Sequence, residues 1–149
     1  MHKNVKGRKR HIVVDTLGLL LTVMVGCPLG RTANIADRDA GLAVLAPLVG
    51  WMPRMRKVWA DQGYAGALEA WVEDYTGWEL AIVHRPPGMR GWGVLPQRWK
   101  VEPGALWAGF AWLGRNRRLS KEYEQLPTSS EAFILIAMIR LMLTRLTRL

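Results

Sequence analysis

Asp61 is the acidic residue whose surroundings in this 149-residue chain most favour catalysis. It follows the apolar residues 58–60 and precedes Gln62-Gly63-Tyr64, which places it at the carboxyl end of a predicted strand. α/β folds carry functional groups at that edge. A divalent cation such as Mg²⁺ needs carboxylate oxygens fixed at such an edge, with positions left open for substrate phosphates. The alternative, equally compatible with this pattern, is that Asp61 caps the turn that follows.

Glu102 is the second candidate, and Arg98 precedes it by four residues. Side chains at this spacing share a face of a helix, so Arg98 could bind a phosphate next to a metal held by Glu102. The alternative is an ordinary ion pair on the protein surface, which is the commoner use of the spacing.

The remaining polar residues offer less chemistry. Asp15 lies in a turn between two apolar runs, where a structural role is favoured, and Asp37 and Asp39 are interpreted as helix caps. His11 and His84 stand alone, without a partner at metal-binding spacing, and neither is assigned a role. There is no Gly-rich phosphate loop.

The charge of the chain favours a polyanionic partner. Lysine and arginine total 21 against 12 acids, giving a net charge of +9 and a pI near 10.4, which fits nucleic acid or an anionic surface. The alternative is that the basic residues form a solvated surface that only keeps the protein in solution. The only cysteine, Cys27, excludes an internal disulfide, and no signal peptide is evident, so a cytoplasmic location is expected.

Alternating strands and helices must position these residues. Residues 12–25 predict a hairpin around the turn 15–18, with both faces covered because both arms are apolar. A helix over 40–46 ends at Pro47, and strands are predicted at 57–60 and 80–83. The apolar stripe of the helix between those strands is Leu68, Trp71, Val72 and Tyr75.

A last helix is predicted from Ser130 to about Arg148. Its apolar run, residues 132–139, is expected to be core, and Arg140 and Arg145 interrupt it too early for a membrane span. The class is therefore α/β, with helices on both sides of a sheet. Residues 1–149 are expected to form a single domain, strand-rich over 8–100 and helical over 101–149.

Three strings resemble the transposases of insertion-sequence family five, whose catalytic domains carry two aspartates and a glutamate (DDE). They are residues 7–18 (GRKRHIVVDTLG), 59–66 (WADQGYAG) and 110–124 (FAWLGRNRRLSKEYE). The resemblance covers nearly the whole chain in order, and the third string is the most specific.

The resemblance implies a ribonuclease-H-like fold, with a mixed sheet flanked by helices, and DNA transposition by two-metal catalysis. Three carboxylates then hold two Mg²⁺ or Mn²⁺ ions; the second aspartate corresponds to Asp61 and the glutamate to Glu102. The partner is transposon-end DNA, with contacts to phosphates rather than bases. The basic residues expected to bind DNA are Arg8, Lys9, Arg10, Arg98, Arg115, Arg117, Arg118 and Lys121.

The chain departs from the family pattern in two places that matter for activity. The first aspartate of these transposases belongs to an Asp-Ser motif upstream of the basic string, on the central strand of the sheet, and Asp15 does not match it. Residues 103–109 form an insertion whose Pro103 and Gly104 break a helix bearing Glu102. The expectation is an incomplete catalytic domain that binds DNA but does not cut it alone. The alternative is a non-catalytic DNA-binding or interaction module that modulates a full-length transposase through mixed oligomers, with no membrane partner.

Overall fold

The computed structural model of the chain describes residues 8–26, 37–84, 113–114 and 116–147, without the side chains of 37 and 38. An initial pair of strands is followed by alternating helices and strands over residues 37–84, which confirms the mixed α/β class. Short 3-10 turns at Ala46–Leu48, Gln62–Tyr64 and Arg117–Leu119 join some of the elements. The elements are β1 (Arg10–Val14), β2 (Leu20–Val25), α1 (Asp37–Leu45), β3 (Lys57–Asp61), α2 (Ala67–Thr76), β4 (Glu79–Val83) and α3 (Pro127–Leu146).

The first two strands form the predicted hairpin. β1 and β2 are antiparallel, with Arg10 opposite Val25 and an irregularity next to Val14. One carboxylate oxygen of Asp15 accepts hydrogen bonds from the backbone N–H groups of Leu17 (2.9 Å) and Leu19 (2.8 Å). Asp15 therefore holds the turn, and the prediction of a structural role is confirmed.

The other two strands form a parallel pair. β3 and β4 run in register from Lys57 opposite Glu79 to Asp61 opposite Val83, and α2 connects them. α2 ends at Gly77, whose φ of +67° is a left-handed conformation that suits glycine. Within the described residues the sheets are two separate pairs, β1–β2 and β3–β4, and no backbone hydrogen bond joins them.

One core lies between both sheets and the first two helices. Its buried side chains come from α1, α2 and the segments next to them, and Val13 and Met24 of the hairpin pack against it together with Val58 and Ala60 of β3. The two sheets therefore share this first core. Its buried members are Val44, Leu45, Leu48, Leu68, Val72, Trp78 and Leu80.

A second core covers the opposite face of the hairpin. Val25 of β2 is buried there with Leu113, Leu119 and Ile134, and Val23 packs against them. The hairpin is thus covered on both faces, which confirms the expectation drawn from its two apolar arms. None of the helices in the described ranges is long and apolar enough to cross a membrane.

Three details of the predicted helices are wrong. α1 spans Asp37–Leu45, so both aspartates lie within its first turn and do not precede it as caps. On α2, Tyr75 is exposed and stacks on Trp71, with 5.5 Å between ring centroids, so it does not belong to the buried stripe. On α3, only Ile134 and Met138 of the run 132–139 are buried.

Candidate functional site

Asp61 is the last residue of β3, at the carboxyl end of the parallel pair. Its oxygen Oδ1 accepts a hydrogen bond from the backbone N–H of Gly63 at 3.0 Å, so the carboxylate caps the turn Gln62–Tyr64. The residue is exposed, and no described residue donates a hydrogen bond to Oδ2. The capping role foreseen as the alternative is present, and it leaves one oxygen open to solvent.

The turn after Asp61 is fixed by a contact with the hairpin. The hydroxyl of Tyr64 lies 2.7 Å from Nδ1 of His11 on β1, and the two rings meet edge to face with centroids 6.0 Å apart. His11 is buried. Sequence reasoning assigned His11 no role, because Tyr64 lies 53 residues further along the chain and no local spacing could reveal the contact.

Helix α1 approaches the same tyrosine from another side. A Cβ atom at Gly41 would lie 2.8 Å from Cδ1 of Tyr64 and would collide with Cδ2 of Leu68. Only glycine therefore allows α1 to pack this closely against the turn. Tyr64 is held by His11 and by α1 together, so the backbone that carries Asp61 is supported by buried contacts.

The segment then enters α2 through Gly66. Its φ of +108° is a conformation that residues with a side chain rarely adopt. The carboxylate of Glu69 accepts a hydrogen bond from the backbone N–H of Gly66 at 2.9 Å, which satisfies a donor at the helix start. The string Asp-Gln-Gly-Tyr-Ala-Gly is thus a folded connection between β3 and α2 with its own caps.

The strand register decides from which face of β3 Asp61 projects. Val58 and Ala60 pack against the first core, and side chains alternate along a strand, so Asp61 projects from the opposite face of β3. The hairpin also turns one face to the first core and the other to the second core. Leu113 and Leu119, together with Ile134 of α3, pack on the second of these hairpin faces.

A basic segment, residues 117–121, lies beside the second core, to which it contributes Leu119. Arg117, Arg118 and Lys121 are exposed. Nε of Arg118 is 2.9 Å from Oε1 of Glu124, and its guanidinium lies over the ring of Phe133, 4.4 Å from the centroid. The stacking and the ion pair orient Arg118 while its side chain stays 62% exposed.

Two arginines of the N-terminal basic string bind the chain itself. Nη1 of Arg8 donates to the carbonyl of Glu124 at 2.8 Å, and Nη1 of Arg10 donates to that of Leu119 at 2.6 Å. Between them, the carboxylate of Glu122 lies 3.8 Å from Arg8 and 3.5 Å from Arg10, and Ser130 donates to it at 3.2 Å. These contacts attach β1 to residues 119–125.

Sequence reasoning missed this second use of Arg8 and Arg10, since their partners lie more than a hundred residues away. That they also contact DNA stays a prediction, as it does for Lys9, which is exposed. Glu102, Arg98 and Arg115 lie outside the described residues. Among the residues described, no group of three or more His, Cys, Asp or Glu side chains is arranged to hold a metal ion.

The family of the chain follows from its sequence taken whole. The model of the transposase DDE domain matches residues 2–142, and the chain belongs to this family. No curated protein and no solved structure matches it. The resemblance to DDE transposases is therefore confirmed, whereas the assignment to insertion-sequence family five stays a prediction.

Proposed function

We propose that this chain acts in DNA transposition by supplying Asp61 and Glu102 to a site that cuts and joins DNA phosphodiesters. The observation that supports this proposal best is the position of Asp61. It is an exposed carboxylate at the carboxyl end of β3, on a supported turn, in a chain that matches the transposase DDE domain over residues 2–142.

The donor atoms that Asp61 offers suit Mg²⁺ or Mn²⁺. Oδ1 is occupied by the N–H of Gly63, and the exposed Oδ2 is a hard oxygen ligand of the kind these ions prefer. Two bound ions would activate the attacking hydroxyl and stabilise the leaving oxygen. Asp61 and Glu102 would hold them, and Arg98 would bind a substrate phosphate beside Glu102.

We attribute the third carboxylate to a strand that lies between β1 and β3 and is not part of this sequence. Among the described residues, β1 pairs only with β2 and β3 only with β4, and the two pairs share the first core without being hydrogen bonded to each other. A strand between them would satisfy backbone groups on both remaining edges. Alone, the chain then has two of the three acids and does not cleave DNA.

DNA binding is assigned to the basic segment, residues 117–121. Its Arg117, Arg118 and Lys121 are exposed, and the net charge of +9 favours a polyanion. Such residues neutralise phosphates and position the duplex without reading its sequence. DNA held by this segment would supply the phosphodiester that the proposed site cuts and joins.

The experiment measures binding and nicking of transposon-end duplex DNA by the purified chain in Mg²⁺ and in Mn²⁺. We expect binding without nicking, and nicking after addition of a polypeptide that carries a strand with an Asp-Ser motif. Asp61→Asn should abolish the restored nicking, and Asp74→Asn, an exposed aspartate on α2, should not. Nicking by the chain alone that Asp61→Asn removes would refute the need for a third acid, and absence of DNA binding at low salt would refute the proposed function.

A further inference from the structure

Helix α3 exposes a broad apolar face. It lies opposite the face that carries Ile134 and Met138 into the protein. We propose that this outer face is the interface between two copies of the chain, whose α3 helices pair antiparallel. The proposal does not depend on the proposed function. The exposed side chains are Leu135, Ile136, Ile139, Met142, Leu143 and Leu146, which are 40% to 65% accessible.

The spacing of these residues suits another helix as the partner. Ala132, Leu135, Ile139, Met142 and Leu146 follow one another at intervals of three, four, three and four residues. This is the seven-residue repeat with which two α-helices pack along a common seam. Ile136 and Leu143 widen the seam on one side. They lie two helical turns apart, and each directly follows a residue of the seam, Leu135 or Met142.

The size of the face suits a dimer. Its six large side chains expose roughly 600 Å² per copy, at the upper end of what monomers usually leave as one patch. Covering the face on two copies would bury roughly 1,200 Å², at the lower limit of stable interfaces. A second copy offers the same face with the same repeat, so a twofold axis makes the two surfaces complementary.

The charges along α3 favour the antiparallel orientation. The carboxyl-terminal half carries Arg140 and Arg145, whereas the carboxylate of Glu131 in the amino-terminal half accepts a hydrogen bond from the N–H of Val25 in the same copy. Antiparallel helices hold the arginines of the two copies apart and oppose the two helix dipoles. Parallel helices would bring the arginines of both copies together, which costs energy through repulsion between like charges.

Sedimentation of the full chain between about 1 and 100 µM tests the interface, since a Kd in this range is typical of interfaces of modest size. We expect a dimer for the unchanged chain and a monomer for Leu143→Glu. The matched control is Leu126→Glu, which replaces an exposed leucine at the start of α3 and away from the seam, and it should stay dimeric. Circular dichroism checks that both variants fold. A monomer throughout the range, or a dimer that survives Leu143→Glu, would overturn the proposal.

Two further measurements test the relative orientation of the two α3 helices and whether a second copy or a membrane covers the apolar face. In a Cys27→Ser background, Leu146→Cys should not form a disulfide between copies, because antiparallel helices separate the two positions; rapid cross-linking would overturn the antiparallel orientation. Flotation with phosphatidylglycerol vesicles should show no binding that depends on Leu143. Vesicle binding by a monomeric chain that Leu143→Glu abolishes would assign the face to a membrane surface instead. Because DNA binding is measured separately, a chain that stays monomeric leaves the proposed function standing. A chain that dimerises but does not bind DNA leaves the proposed interface standing.

Discussion

The hydroxyl of Tyr64 lies 2.7 Å from Nδ1 of the buried His11, and this hydrogen bond joins the turn that follows Asp61 to strand β1. Strands β1 and β3 belong to two sheets that, in the part of the chain the structure describes, are not hydrogen bonded to each other. The pair therefore links the hairpin to the candidate catalytic residue through side chains. It makes the position of Asp61 depend on the hairpin.

Removal of the Tyr64 hydroxyl should destabilise the protein. Tyr64→Phe keeps the ring contacts and takes away a hydrogen bond to a buried imidazole, which costs about 1–2 kcal/mol. Urea unfolding of the full chain measures the loss. Tyr75→Phe is the matched control, because Tyr75 is 72% exposed and should lose less than about 0.5 kcal/mol. Equal stability of the two variants would show that the His11–Tyr64 bond contributes nothing.

The close approach of α1 to Tyr64 predicts a second effect. Gly41→Ala would place a methyl group 2.8 Å from the tyrosine ring and against the end of Leu68. Forcing these groups apart should cost about 1–3 kcal/mol, although alanine is the better helix former. Thermal unfolding measures the change.

The control for Gly41→Ala is Gly114→Ala. A Cβ atom there would meet nothing within 4 Å, so the substitution should leave the midpoint of unfolding unchanged or raise it slightly. If both alanine variants unfold at the same temperature, α1 does not pack against the turn as closely as the structure shows.

The carboxylate of Glu122 predicts a third effect, on the attachment of β1 to residues 119–125. Its side chain is 17% exposed and lies near Arg8 and Arg10. Glu122→Gln keeps the shape and removes the charge that neutralises the two guanidinium groups, at a cost of about 1–3 kcal/mol. Glu79→Gln, which weakens the ion pair with Lys57 on an exposed carboxylate (64% exposed), should cost less than about 1 kcal/mol. A larger loss for Glu79→Gln would contradict a structural role of the Arg8–Arg10–Glu122 cluster.

The features that the sequence predicted are those encoded by neighbouring residues. The hairpin follows from the turn at Asp15 between two apolar arms, and the end of α1 from Pro47. The run of eight apolar residues in α3 gave no signal about faces, because nearly every position is apolar and only packing distinguishes Ile134 from Ile136. The partners of His11, Arg8 and Arg10 lie 53 to 117 residues away, beyond any local pattern.

The basic segment predicts the salt dependence of DNA binding. DNA affinity falls as the salt concentration rises, and each side chain that neutralises a phosphate makes the plot of log K against log salt concentration steeper by about one unit. The double variant Arg117→Ala with Lys121→Ala should therefore make this plot shallower by about two units. Affinity should fall equally for transposon-end and unrelated duplexes, since phosphate contacts carry no sequence information. Fluorescence anisotropy across a salt titration measures both. Arg54→Ala with Arg56→Ala removes the same charge from exposed positions outside the segment and should leave the slope nearly unchanged. If this control lowers the slope as much, net charge rather than the basic segment governs DNA binding.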